Sequence, residues 1–156
     1  MELPENLRAQ WIAQTQLLLD SFQTLLGREL IVRSGNAEDE FKRLWDAPFV
    51  ALSHGTEADP ILNFANRTTL MLWEMPLDKL ITMPSRLTAE PMEQTRRQEF
   101  LEQTHRQGFM SGYEGIRISA ASRRFLIQNA TIWNLTSGDG QPAGQAATFD
   151  TWSFLP

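Results

Sequence analysis

The chain has 156 residues and a net charge of −5, with 42% apolar and 21% charged residues, the make-up of one globular domain rather than a disordered or fibrous chain. No apolar run approaches the roughly 20 residues of a membrane-spanning helix. The start, Met1-Glu2-Leu3-Pro4-Glu5-Asn6, has neither the basic nor the apolar part of a secretory signal. There is no cysteine, which excludes disulfides, iron–sulfur clusters, thiolate zinc sites and cysteinyl-flavin adducts. The acidic balance disfavours indiscriminate nucleic-acid binding, because phosphate contacts need concentrated Lys and Arg. The expectation is a cytoplasmic domain with no membrane contact and no direct nucleic-acid contact.

Residues 4–26 read as one amphipathic helix, opened by Pro4 and stopped by Gly27. Leu7, Trp11, Leu18, Phe22 and Leu25 share a stripe, and Ile12, Leu19 and Leu26 lie beside it. That is more apolar surface than one helix face needs. It predicts homodimerisation or a protein partner held through Trp11, Leu18, Phe22 and Leu25; the plainer outcome is a helix that caps its own sheet. A connector covers 28–36. Asn36 then suits the cap of a short helix with an acidic first turn, Glu38-Asp39-Glu40, and an apolar side of Phe41, Leu44 and Trp45. Residues 1–36 are thus read as an extension and connector, and 37–156 as the main domain.

The pattern changes at Pro48. Residues 49–53 and 61–65 read as strands joined by a turn-rich loop over 54–60. Asn66 is placed to cap a helix through Leu70, Met71 and Trp73 that stops before Pro76, and a short helical piece covers 77–82. Residues 84–91 are irregular. A polar helix runs from Pro91 to Gly108, and its i,i+4 pairs Glu93/Arg97 and Glu102/Arg106 predict that most of it faces water. Residues 112–119, 123–135 and 143–154 form a strand meander. Strict alternation puts Phe125, Ile127, Asn129, Thr131, Trp133 and Leu135 on one side of the middle strand.

Two strands, crossing helices, then three strands is the order of a PAS domain. The predicted class is α+β: a PAS-like five-stranded antiparallel sheet with helices on one face and an N-terminal amphipathic helix. Its first and last strands should lie near the middle. The competitor is a cone-shaped fold of the nuclear-transport-factor-2 and ketosteroid-isomerase type.

Several segments then resemble a known family. Ser53-His54-Gly55-Thr56-Glu57-Ala58-Asp59-Pro60-Ile61-Leu62-Asn63-Phe64-Ala65-Asn66-Arg67 resembles the opening of the MEKHLA domain, a PAS-related family. Pro84 to Pro91, Gly115 to Ser119, Ala130 to Leu135 and Gly144 to Phe149 continue the likeness, which covers roughly residues 8–155. The family includes stand-alone bacterial proteins, cyanobacterial ones among them, and the C-terminal region of plant class III homeodomain–leucine zipper factors. The resemblance implies a sensory or dimerisation-controlling module with no established catalytic activity. These 156 residues hold no homeodomain or zipper, so the stand-alone type is expected.

Few side chains here suggest chemistry. His54 is read as an exposed loop residue and His105 as a cation at a helix end; a haem ligand among helix residues would have to be His105. Glu57 and Asp59 could pair on a metal, but turn chemistry before Pro60 is the simpler account. Arg86 and Glu90, on the segment that forms one pocket wall in PAS domains, either grip a polar ligand or bridge to fix the loop. Phe64, Trp73, Phe125, Trp133 and Phe149 converge from different elements as an aromatic core. Asn129 and Thr131, on the predicted inward face with Trp133, would need satisfying by protein, water or ligand. The predicted ligand set is therefore Phe64, Trp73, Arg86, Glu90, Asn129, Thr131 and Trp133, with no catalytic residue, no metal and no covalent cofactor; non-covalent flavin, haem and fatty ligands stay open. The function expected is a sensory and interaction module. The alternatives are a small cone-shaped enzyme using Asp150 or Glu114, and a ligand-free PAS-shaped dimerisation scaffold.

Overall fold

The computed structural model describes residues 3–156, apart from the side chains of Pro91 and Met92. Helix α1 (Glu5–Leu26) follows Pro4 and ends at Gly27, whose φ of 71° is left-handed and whose N–H bonds Gln23 O. Helix α2 (Ala37–Trp45) is capped by Asn36, whose side chain accepts the Asp39 N–H at 2.9 Å. Strands β1 (Val50–His54) and β2 (Leu62–Ala65) come next. Helices α3 (Arg67–Trp73) and α4 (Leu77–Leu80), a 3-10 turn (Ser85–Thr88) and α5 (Pro91–Gln107) follow. Strands β3 (Phe109–Ile118), β4 (Arg124–Thr136), β5 (Pro142–Phe149) and β6 (Thr151–Phe154) complete the chain. The strand predicted over 143–154 is broken at Asp150 into β5 and β6.

All pairings are antiparallel in the order β2-β1-β5-β4-β3, and β6 runs on beside the first half of β4. The first strand and the last long one are thus interior to the sheet, as predicted. Helices α3 and α5 pack on one face, against β1 and against β3 and β4. Helix α1 packs on β4 from the other face and carries α2 with it.

The alternation predicted for β4 fails, and its failure decides which residues meet. Asn129 has a φ of 54°. Across to β3, Ile127 sits opposite Gly115, but Ala130 sits opposite Tyr113. Three steps on one strand answer two on the other, so β4 carries a bulge at Gln128-Asn129. One extra residue exchanges the two faces. Ile127, Ala130 and Ile132 share the α5 face, while Trp133 points to α1. A register shift between Ser53 and His54 does the same on β2: Leu62 faces α5 and Phe64 faces α1. The predicted set of Asn129, Thr131 and Trp133 beside Phe125 and Ile127 on one inward face is therefore corrected.

The α1 face is closely packed and aromatic. Phe22 and Leu18 are 0% exposed and Trp11 2%. Phe22 meets Trp133 edge-on at 4.9 Å, and Trp133 Nε1 donates to Leu18 O at 3.3 Å. Trp11 packs on Phe64 at 5.0 Å. Trp11, Leu18 and Phe22, expected as an interface, are spent on the chain's own sheet, and only Leu25 keeps partial exposure. Two polar clips hold this layer. Buried Glu40 accepts from Arg33 Nε at 3.0 Å, Gln16 Nε2 at 2.9 Å and the Ser34 N–H at 2.8 Å. These bonds, Arg33 first, lower the Glu40 carboxyl to about 2. Asn66, fully buried, caps α3 as predicted; it also donates to Leu44 O at 3.1 Å and Phe49 O at 2.7 Å and accepts the Ala51 N–H at 3.2 Å.

Candidate functional site: a cationic cavity under helix α5

Between α5 and the sheet lies a cavity of about 60 Å³. Its apolar wall comes from β1, β4 and β5, including Leu52, Ile127, Ile132 and Phe149. Trp73 closes one side, with Nε1 on Thr88 O at 3.4 Å and edge contacts to Phe125 at 5.1 Å and Phe149 at 6.2 Å.

The polar wall is cationic. Arg97 leaves α5 and points inward, 9% exposed, with NH2 on Ser85 Oγ at 3.0 Å. No ion pair to Glu93 is present among the described residues, so the predicted solvated i,i+4 pair is corrected: the position falls on the helix face that covers the sheet. Arg117 reaches the cavity from β3, 5% exposed, with NH2 on Tyr113 Oη at 3.1 Å and NH1 on its neighbour Ile116 O at 2.9 Å. Tyr113 stacks obliquely on Phe100 of α5 at 4.2 Å. Gly115 stands between Tyr113 and Arg117 on the inward side of β3; a Cβ there would lie 2.6 Å from Tyr113 Oη. Only glycine lets those two side chains meet across that position. Burial, and after it the neighbouring Arg117 charge, lowers Arg97 to about 10. It stays protonated at neutral pH.

His54 is also in this wall. The predicted exposed histidine is corrected: it is 9% exposed, at the end of β1. Gly144 makes that approach of β5 possible, since a Cβ at its φ of 116° would fall 2.0 Å from His54 O. His54 Nδ1 lies 3.1 Å from Gly55 O, and Nε2 has no partner among the described residues. Burial lowers its pKa, against the Gly55 hydrogen bond and with the nearby Arg97 charge, so the ring is neutral at pH 7.

Of the predicted ligand residues, the structure brings Trp73 alone to this cavity. Phe64 and Trp133 face α1. Asn129 and Thr131 line a separate depression beside Phe22 and Arg28. Arg86 bridges to Asp59 at 3.2 Å on the surface, and Glu90 to Arg124. Glu57 accepts the Ile61 N–H at 3.1 Å, which is turn chemistry. His105 is exposed at the end of α5. Among the described residues no group of three His, Asp or Glu could hold a metal, and no helix is long and apolar enough to cross a membrane. Sequence reasoning missed His54, Arg97 and Arg117. One signal was available for Arg117: on a two-residue period it alternates with Ile116 and Ile118, so one member of each pair faces inward.

A sheet of order 2-1-5-4-3, helices crossing over one face and a cavity beneath them define a PAS fold. Solved structures agree. The PAS domain of a Colwellia psychrerythraea protein matches with a TM-score of 0.63 at 12% identity, covering 76% of this chain and 95% of that one. A light-oxygen-voltage domain studied with a flavin analogue matches with a TM-score of 0.58 at 15% identity, covering 76% and 85%. The blue-light photoreceptor Vivid matches at 0.56 and 9%, covering 89% and 94%.

Within that class the sequence is more particular: the MEKHLA domain matches residues 12–154, and the chain belongs to that family. The rice (Oryza sativa subsp. indica) homeobox-leucine zipper proteins HOX10 and HOX9 are 27% identical over 149 residues and 26% over 148. Each alignment covers 94% of this chain and 17% of the rice protein, so this chain spans about a sixth of the length of those relatives.

The light-oxygen-voltage neighbours make flavin the cofactor to test against the geometry. Pockets for ligands of that size run to about 300–1,000 Å³, several times the 60 Å³ here, and Arg97, Tyr113 and Arg117 border the space. The tricyclic ring does not fit this cavity, and the chain has no cysteine for an adduct.

Proposed function

We propose that this chain is a non-enzymatic sensory and interaction module of the cytoplasm. A small ligand occupies the cavity under α5, and the response passes to a protein partner or a second copy of the chain. The observation that carries the reading is strand β4. Ala130 and Ile132 line the cavity, while Trp133 between the layers holds α1 through Leu18 O. A displacement of β4 by a ligand alters the seat of α1 directly, because close-packed layers transmit strain. In this reading residues 37–156 sense and residues 1–36 relay. Among the described residues the cavity wall holds no Asp or Glu, and Asp150 and Glu114 are both exposed, which weighs against the cone-shaped enzyme. The homeobox-leucine zipper names of the relatives support a regulatory setting.

The test is a fragment screen on the full chain by amide NMR, followed by hydrogen exchange and native mass. Compounds that shift Ala130 and Ile132 are expected to change exchange across residues 5–26 or the association state. A screen in which nothing shifts those amides, or in which cavity binders leave both readouts unchanged, rejects the reading.

A further inference from the structure

Six arginines at or near the surface, Arg8, Arg33, Arg43, Arg67, Arg86 and Arg124, each pair with a carboxylate. The two buried ones, Arg97 and Arg117, pair with none among the described residues. Exposed Arg28, Arg96, Arg106 and Arg123 have no carboxylate among the described residues either, but water solvates them, whereas buried charges are ordinarily paired. A guanidinium has five N–H donors; Arg97 spends one on Ser85, and Arg117 two on Tyr113 and Ile116. Among the described residues the wall they share offers no anion, which leaves a place for a ligand to supply the charge.

Three more constraints narrow it. The volume of about 60 Å³, well below the roughly 300–1,000 Å³ of pockets for drug-sized ligands, calls for a small ligand. Apart from Ser53, Thr88 and Gln145, the rest of the wall is aliphatic or aromatic, so the ligand has an apolar part. His54 Nε2 is the one buried side-chain nitrogen or oxygen without a partner among the described residues. Because Gly55 O can only accept, Nδ1 carries the proton and Nε2 presents a lone pair. It calls for a donor, such as a hydroxyl.

Resting on the sensory reading above, we propose that the cavity binds a short hydroxy-monocarboxylate of the size of glycolate or lactate. Its carboxylate takes the spare donors of Arg97 and Arg117, its hydroxyl donates to His54 Nε2, and its carbon end lies on Leu52, Ile127 and Ile132. Bidentate guanidinium–carboxylate geometry supplies the charge selectivity.

The experiment titrates the full chain with L-lactate, glycolate, propionate and lactamide at matched ionic strength, reading amide shifts of Ala130 and Ile132 and the unfolding temperature. Lactate and glycolate are expected to shift those amides and raise the unfolding temperature. Propionate, lacking the hydroxyl, should bind about tenfold more weakly, and lactamide, lacking the charge, should not bind. His54→Phe should remove the lactate–propionate difference, and Arg97→Lys, which keeps the charge without the fork, should weaken both acids. Lactamide binding as tightly as lactate overturns the proposal. So does propionate equalling lactate in the unaltered chain, a comparison that needs no variant to fold. If none of these probes binds while other fragments shift the same amides, the ligand class is wrong and the sensory reading stands; if nothing shifts them, both fall.

Discussion

The two faces of this sheet are built by opposite rules. The α1 face is filled by large aromatics, Phe22 against Trp133 and Trp11 against Phe64, and its one buried carboxylate, Glu40, is fully engaged by Arg33 and Gln16. The α5 face keeps an open volume and lines it with two guanidinium groups that no carboxylate among the described residues neutralises. One face gains stability from tight packing and satisfied polar groups. The other leaves burial and charge uncompensated, as sites for ligands do. The contrast places the fold's strength and its responsiveness on opposite sides of one strand, β4.

The largest effect that would break this comparison lies on the packed face. Trp133→Ala removes the indole that Phe22 and Leu18 enclose, and should cost about 3–5 kcal/mol in urea unfolding, the range for large core truncations. A loss below about 1 kcal/mol would mean that this face is no better packed than the other. Asn66→Ala comes next. It deletes the α3 cap and strands the buried Leu44 carbonyl and the half-buried Phe49 carbonyl, and about 3 kcal/mol is expected from those losses together. A chain that melts within a degree of the parent would show that water replaces the asparagine freely.

Acid titration separates the faces further. The Glu40 carboxyl is held at about 2 in the folded chain, below its ordinary 4.5. A depressed carboxylate adds stability that is present above the ordinary value and is lost as pH falls through the folded one. The unfolding temperature should therefore drop between about pH 4.5 and 2 in the parent and drop less in Glu40→Gln. Identical acid profiles would remove Glu40 from the account.

The smallest effect has the opposite sign. Arg97→Met replaces a buried unpaired charge with an apolar side chain of similar length, and such changes are neutral or stabilising. The variant should unfold at equal or up to about 1 kcal/mol higher stability while losing lactate binding. A destabilisation beyond about 2 kcal/mol would show that Arg97 holds the fold and does not wait for a ligand.

Most elements of this chain, the break between β5 and β6 excepted, were legible in its order of residues because they announce themselves locally. Pro4 and Gly27 bracket α1, Asn36 and Asn66 cap α2 and α3, and Pro91 and Gly108 bracket α5. The strand and helix order sufficed for the PAS arrangement, and the run from Ser53 to Arg67 for the family. The site was not legible, since it depends on which way side chains point after two bulges. Period-two alternation carried through Asn129 and Asn63 assigns Trp133, Thr131 and Phe64 to the wrong layer, and nothing local marks the extra residue. Arg97 satisfies an i,i+4 pairing rule on an isolated helix, but the docking of α5 on the sheet turns it inward. By itself the sequence determined caps, elements and topology, whose causes act within a few residues. Only the tertiary structure decided that β4 changes faces at Gln128-Asn129 and that His54, Arg97 and Arg117, from three distant elements, share one small cavity, because bulge register and helix docking are settled by contacts between segments far apart in the chain.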